Sequence, residues 1–175
     1  MNGGNAPAIL FSESEIRARV AEIAAAIAQL EDAVDLAIPI LVGGFVFAAD
    51  LLRDLDRNGR SLPVEFLRLR SYAHGRTAEG ELTVLQVPGD SIAGRHVLLV
   101  DGVLDRGHTL KKARNLVFSA GARAASTAVV VDKFRKDALL KADFSAFRAV
   151  DRFIVGYGMD DLGRYRSLPY IASVT

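Results

Sequence analysis

The chain of 175 residues contains no cysteine, so disulfide frameworks, thiolate nucleophiles and the common zinc-thiolate sites are excluded. It also lacks a charge excess. Its 22 basic and 21 acidic residues leave a net charge of +1, which offers no overall field to nucleic acid or an anionic membrane. Neither is expected as a partner, and any phosphate must be met locally. Long apolar runs are missing too: stretches such as Leu36 to Val42 stop far short of the roughly 20 residues that cross a bilayer. Met1 to Pro7 has no basic start followed by an apolar run, so export is not indicated and a soluble, cytoplasmic protein is expected. Gly43-Gly44 follows an apolar run, but no Gly-x-Gly-x-x-Gly and no Gly-x-x-x-x-Gly-Lys occurs, which removes the dinucleotide and P-loop fingerprints.

Half of the residues are hydrophobic and a quarter are charged, an ordinary globular composition. A chain of this length buries roughly two thirds of its unfolded surface, and with no repeat or linker in view residues 1–175 are read as a single domain. Ser12-Glu13-Ser14-Glu15 has the spacing of a capping box. Behind it Ile16, Val20, Ile23, Ile27 and Leu30 recur at intervals of three and four, the apolar stripe of a helix. Leu36 to Val42 reads as a buried strand turning at Gly43-Gly44 into a helix over Phe45 to Asn58. Further strands are expected at Leu62 to Tyr72, Leu82 to Val87, His96 to Asp101, Ala124 to Val131 and Arg152 to Gly156, with a helix from Thr109 to Ser119 stopped by Gly121. Ala73 to Glu81 is polar and without an apolar period, the pattern of a mobile surface loop. Alternating strands and helices imply an α/β fold with a mainly parallel sheet, helices on both faces, and ligands at the carboxyl ends of the strands.

The most informative stretch is Val97-Leu98-Leu99-Val100-Asp101-Gly102-Val103-Leu104-Asp105-Arg106-Gly107-His108-Thr109-Leu110, a buried strand meeting a polar loop and a helix start. Backbone N–H groups of residues 105–109, the bend that Gly107 permits and the Thr109 hydroxyl together make an anion pocket, where His108 can also meet a phosphate. Asp101 and Asp105, at the start and middle of the loop, can face sugar hydroxyls, a metal or a base nitrogen; an Asp-Gly structural turn is the plain alternative. His74, His96 and His108 have no metal-ligand spacing.

This stretch resembles the ribose-phosphate loop of the type I phosphoribosyltransferases: an apolar run, two acids, two apolar residues, Asp, Thr, Gly, a variable residue and Thr. Phe153-Ile154-Val155-Gly156-Tyr157-Gly158-Met159-Asp160, followed by Tyr165-Arg166-Ser167-Leu168, is similar to the C-terminal signature of the hypoxanthine-guanine branch. Ile9-Leu10-Phe11-Ser12, Leu41-Val42-Gly43-Gly44, Arg68-Leu69-Arg70-Ser71-Tyr72 and Val131-Asp132-Lys133 extend the resemblance over nearly the whole chain. It implies a parallel-sheet type I phosphoribosyltransferase fold flanked by helices, with a small hood built from the two chain ends. It further implies an enzyme of purine salvage, which moves phosphoribosyl from phosphoribosyl pyrophosphate to a 6-oxopurine, hypoxanthine or guanine. The products are IMP or GMP and pyrophosphate, Mg2+ takes part, and a homodimer or homotetramer is expected.

Position by position, the resemblance implies that Asp105 accepts or shares the purine proton and that Arg106, Gly107, His108 and Thr109 cradle the 5′-phosphate. Asp101 holds ribose hydroxyls directly or through metal, and Asp160 sits near the metal and pyrophosphate. Gly43 and Gly44 offer backbone amides to pyrophosphate, and Arg166 binds its oxygens. Lys133 donates to the purine 6-oxo group, which disfavours a 6-amino purine. Phe153 stacks on the ring, Ile154 gives backbone contacts, and Ser71 and Tyr72 belong to a lid. Three positions depart from the pattern: Gly102 stands where a second acid is usual, Arg106 replaces threonine, and Val42 replaces a lysine. They motivate the alternative of a non-catalytic module that senses a nucleotide or phosphoribosyl pyrophosphate.

Overall fold

The capping box closes as its spacing requires: Ser12 Oγ accepts the Glu15 N–H, and the Glu15 carboxylate accepts the Ser12 N–H at 2.8 Å. Helix α1, Glu13–Ala28, begins there in the computed structural model, which describes residues 7–71, 82–86, 88–148 and 152–174 and only the backbone of Arg70, Ser71 and Asp90. Ile16, Val20, Ile23 and Ile27 lie buried along the stripe their spacing predicts. Helix α2, Phe45–Arg57, buries Phe47, Ala48, Leu51 and Leu55 against the same core. Helix α3, His108–Ser119, packs Leu110, Ala113 and Val117 into a second cluster.

Between these helix layers lies a six-stranded sheet in the order β4-β3-β2-β5-β6-β7. Its strands are β2 Leu36–Leu41, β3 Leu67–Ser71, β4 Leu82–Gln86, β5 His96–Leu104, β6 Ala124–Asp132 and β7 Phe144–Arg148. All neighbours are parallel except β3 and β4. On β5, Leu98 and Val100 join the α1/α2 cluster while Val97 and Leu99 join the α3 cluster. A strand covered on both faces reads as an unbroken apolar run, which is why no alternation is visible there. A separate antiparallel sheet, β1-β9-β8, joins β1 Ala8–Phe11, β9 Ile171–Ser173 and β8 Ile154–Val155, so the hood does come from the two chain ends. The Phe11 ring stacks on Phe147 with centroids 4.0 Å apart, and the Tyr157 hydroxyl donates to Asp50 on α2 at 2.6 Å.

Several expected boundaries are corrected. β5 does not end at Asp101 but runs on to Leu104, because its ladder with β6 continues to the pair Leu104 and Asp132. Asp101 is therefore a strand residue and not the start of a loop. Arg152 to Gly156 is not a strand of the parallel sheet; only Ile154 and Val155 are extended, and they pair with β9. β3 starts at Leu67 and not near Leu62, since Pro63 has no N–H to give and contributes only its carbonyl, to the Ala37 N–H. β7 has no counterpart among the expected strands: it is short, and only Ala146 in it is buried, the rest being half-buried or exposed. Tyr72 and the loop expected at Ala73 to Glu81 lie outside the described residues. No described helix is long and apolar enough to cross a membrane.

Candidate active site

Parallel register assembles the first part of the site. Leu104 on β5 stands opposite Asp132 on β6, and the Lys133 N–H extends the ladder by donating to the Leu104 carbonyl at 2.9 Å. The residues that follow, Asp105 and Lys133, are thereby set side by side, and Lys133 Nζ donates to Asp105 Oδ2 at 2.8 Å. Arg135 Nε lies 3.4 Å from the other carboxylate oxygen, Oδ1. A cation thus faces each oxygen of Asp105. Asp137 links this group to the neighbouring loop: its Oδ1 is 3.2 Å from Arg135 Nε and its Oδ2 is 3.5 Å from Arg106 Nε. The hydrogen bond from Arg135 holds the Asp137 carboxyl below its ordinary range. Neither Arg135 nor Asp137 stands out in the sequence; the basic run Lys133-Phe134-Arg135-Lys136 is the available signal, and it reads equally well as a solvated turn.

Two helices begin at this same end of the sheet, and both are left open. α2 has Gly44 at its N-cap and α3 has Gly107, with no capping side chain and no acid in either first turn, but the Gly44 N–H donates to the Ile40 carbonyl at 3.1 Å and is not available to an anion, contrary to expectation. α1, at the front of the chain, is closed by Ser12 and Glu15 instead. An uncapped helix start presents free N–H groups and the positive end of the helix dipole, a ready anion site. Gly107 has φ 84°, so glycine is needed for the turn that brings the amides of His108 and Thr109 to the end of β5.

Glycine also lets three segments meet. A Cβ on Gly102 would come within 2.9 Å of the Gly43 carbonyl oxygen, and one on Gly158 within 2.5 Å of the same atom. The Gly43 carbonyl is therefore wedged between the end of β5 and the segment after β8. Gly102, where an acid is expected from the resemblance, is the residue that admits this wedge. A Cβ on Gly44 would lie 2.7 Å from the Val100 carbonyl oxygen. Gly44→Ala is expected to destabilise the protein by about 1–3 kcal/mol, the usual cost of overpacking, measured by urea denaturation; an unchanged midpoint would refute the close approach.

Asp101 is nearly buried, and its Oδ1 accepts the Gly102 N–H at 2.7 Å. Burial pushes its pKa up to about 7, against the lowering effect of that hydrogen bond. Asp160 and Arg166 pair with each other, Nη2 to Oδ1 at 2.7 Å, while Asp160 Oδ2 accepts the Gly163 N–H and Arg166 Nη1 donates to the Gly158 carbonyl at 2.6 Å. Ile154 turns its side chain into the core and stands opposite Ser173 of β9, and the Phe153 carbonyl accepts the Val174 N–H. Ser71 ends β3, and Tyr72 lies beyond the described residues. Val42, in the turn beside Gly43, is exposed and brings no charge. Among the described residues no group of three or more His, Asp or Glu side chains is placed to hold a metal ion by itself.

Comparison with known proteins gives a consistent picture. The family model described as the phosphoribosyl transferase domain matches residues 11–162. Hypoxanthine-guanine phosphoribosyltransferase of Bacillus subtilis is 34% identical over 165 residues, which is 93% of this chain and 90% of that protein. Hypoxanthine phosphoribosyltransferase of Escherichia coli is 32% identical over 170 residues, covering 95% of this chain and 94% of that one. Among solved structures, a hypoxanthine-guanine phosphoribosyltransferase of Bacillus anthracis with a HEPES molecule in its active site superposes with a TM-score of 0.85 at 33% identity, over 95% of this chain and 98% of that one. A ternary substrates complex of the Trypanosoma cruzi hypoxanthine enzyme gives 0.82 at 33% identity, over 95% and 94%.

Proposed function

The chain belongs to the hypoxanthine-guanine phosphoribosyltransferase family, and from that premise we propose how its residues divide the work. The protein is a purine-salvage transferase that moves phosphoribosyl from phosphoribosyl pyrophosphate to a 6-oxopurine. The bond from the anomeric carbon to pyrophosphate breaks, its electron pair leaves with pyrophosphate, and the ring nitrogen of the purine supplies the pair for the new bond. The nitrogen's proton has to leave, and Asp105 takes or shares it. The observation that carries this reading is the Asp105–Lys133 pair at 2.8 Å: acceptor and donor stand together, one for the purine nitrogen proton and one for the 6-oxo group.

Two phosphate groups need two cradles. The amides of Arg106, Gly107, His108 and Thr109 at the start of α3 take the 5′-phosphate, and Gly43 takes pyrophosphate together with Arg166, while the Gly44 N–H stays on the Ile40 carbonyl. Phe153 stacks on the purine, the Ile154 backbone contacts its edge, and Ser71 with Tyr72 contributes to a lid that keeps water out.

The donor set suits magnesium carried by the substrate better than an all-protein cage, since Mg2+ is commonly held by one or two carboxylates plus phosphates and water. Asp101, a nearly buried carboxylate that pairs with no cation among the described residues, would hold it, directly or through ribose hydroxyls, with Asp160 nearby. When bound, the ion neutralises charge developing on pyrophosphate. The reading extends to a homodimer or homotetramer in the cytoplasm.

The test is nucleotide formation from phosphoribosyl pyrophosphate and Mg2+ with hypoxanthine, guanine, xanthine and adenine offered separately. Product is expected with hypoxanthine or guanine and not with adenine, because a 6-amino group cannot accept from Lys133. Turnover of adenine at a comparable rate would overturn the role of Lys133. Binding of phosphoribosyl pyrophosphate with no product from any base would return the protein to a sensor.

A further inference from the structure

We infer that Arg135 is a positioning residue of this reaction, holding Asp105 in place while Lys133 is handed over to the purine; the inference rests on the acid–base role proposed for Asp105. Lys133 has two tasks that compete for the position of one ammonium group, whose three donors must serve both Asp105 and the purine. Without a base in the site it donates to Asp105 Oδ2, and its side chain is nearly buried, 10% exposed. To donate to a 6-oxo group it must give up part or all of that bond. The carboxylate that then has to meet the ring-nitrogen proton loses the contact that set its rotation. Arg135 is placed to keep it, because its Nε faces Oδ1, the oxygen Lys133 does not use, at 3.4 Å.

Arg135 is itself held by a second carboxylate. Asp137 accepts its Nε–H at 3.2 Å and also faces Arg106 at 3.5 Å, and the Leu139 N–H donates to the Arg106 carbonyl at 2.9 Å. The loop after β6 is thus tied to the loop after β5 by a chain of alternating charges from Arg106 through Asp137 and Arg135 to Asp105. Arg106, whose place the family usually gives to threonine, has a task here in that chain beside its backbone role at the phosphate. The one Nε–H goes to Asp137, so Arg135 holds Asp105 Oδ1 by ionic attraction across 3.4 Å, with the guanidinium itself kept in place by Asp137.

The experiment measures steady-state kinetics of the full chain with hypoxanthine for Arg135→Ala, Arg135→Lys, Asp105→Asn and the double variant Arg135→Ala with Asp105→Asn. If Arg135 acts through Asp105, Arg135→Ala lowers kcat about tenfold, a modest case of what misplacing a catalytic group costs. KM for phosphoribosyl pyrophosphate stays within about twofold, since Arg135 belongs to neither phosphate cradle, and Arg135→Lys recovers part of the loss. In the Asp105→Asn background the same Arg135→Ala change alters kcat by less than about twofold, because the group it positions is gone. Equal effects in both backgrounds, or a wild-type kcat for Arg135→Ala, would overturn the inference while leaving the role of Asp105 intact. A wild-type kcat for Asp105→Asn would instead remove the reading on which it rests.

Discussion

Asp105→Asn is expected to lower kcat for nucleotide formation by about 10²- to 10⁴-fold, the range that one positioned acid–base group supplies. Asparagine keeps the shape and can still accept from Lys133, but it cannot take a proton from the purine nitrogen. The loss should fall on kcat with either 6-oxopurine. KM for phosphoribosyl pyrophosphate should change little, because the helix start at Gly107 offers backbone amides that no side-chain change at position 105 removes. Circular dichroism and a thermal melt of the variant separate lost chemistry from lost folding. A kcat within about threefold of wild type would mean that another group takes the proton, and the pairing with Lys133 would then be structural.

The second large effect concerns stability. Asp101 has a folded pKa raised to about 7 by burial, against about 3.9 in an unfolded chain. A raised carboxyl pKa means that the folded state binds the proton more tightly than the unfolded state, so the penalty is absent below pH 4. It grows as pH rises from about 4 to about 7 and is then complete, and stability falls with pH across that window. A rise of that size corresponds to about 4 kcal/mol. Asp101→Asn, which keeps an oxygen to accept the Gly102 N–H, removes the titration. The variant should match wild type near pH 4 and exceed it by up to about 4 kcal/mol at pH 8, measured by urea denaturation with a chelator present. An equal gap at both pH values would show that Asp101 ionises freely in the folded protein. The same variant is expected to lose activity, since the carboxylate that costs stability is the one proposed to meet ribose or magnesium.

How much of this is legible in the sequence differs from residue to residue. Ser12 with Glu15, the stripe from Ile16 to Ile27, and glycine at positions 44 and 107 are signals complete within a few residues, and the structure carries each of them at its expected place. The apolar run of β5 announces a strand but not its end. Gly102 looks like a break, yet the ladder to β6 carries the strand through it to Leu104. In the sequence Gly102 reads only as a missing acid. Its positive role, admitting the Gly43 carbonyl, depends on a segment near position 43 and another near position 158 that no local pattern connects.

Lys133 stands out through the resemblance, but its ion pair with Asp105 does not, and Arg135 carries no signal of its own. Both contacts follow from the register of two parallel strands joined by the crossover helix α3. The sequence by itself determined the cap of α1, which runs are buried, and the order of strands and helices from α1 to β6, because caps, periodicity and turn residues act over about four positions. Only the tertiary structure decided that residues 105 and 133 share a hydrogen bond, that Arg135 faces the second oxygen, and that Asp101 is nearly buried with a raised pKa. Register and burial are set by the packing of the whole sheet, where the hydrogen-bonding partner of a residue is chosen by helices and strands far from it in the chain.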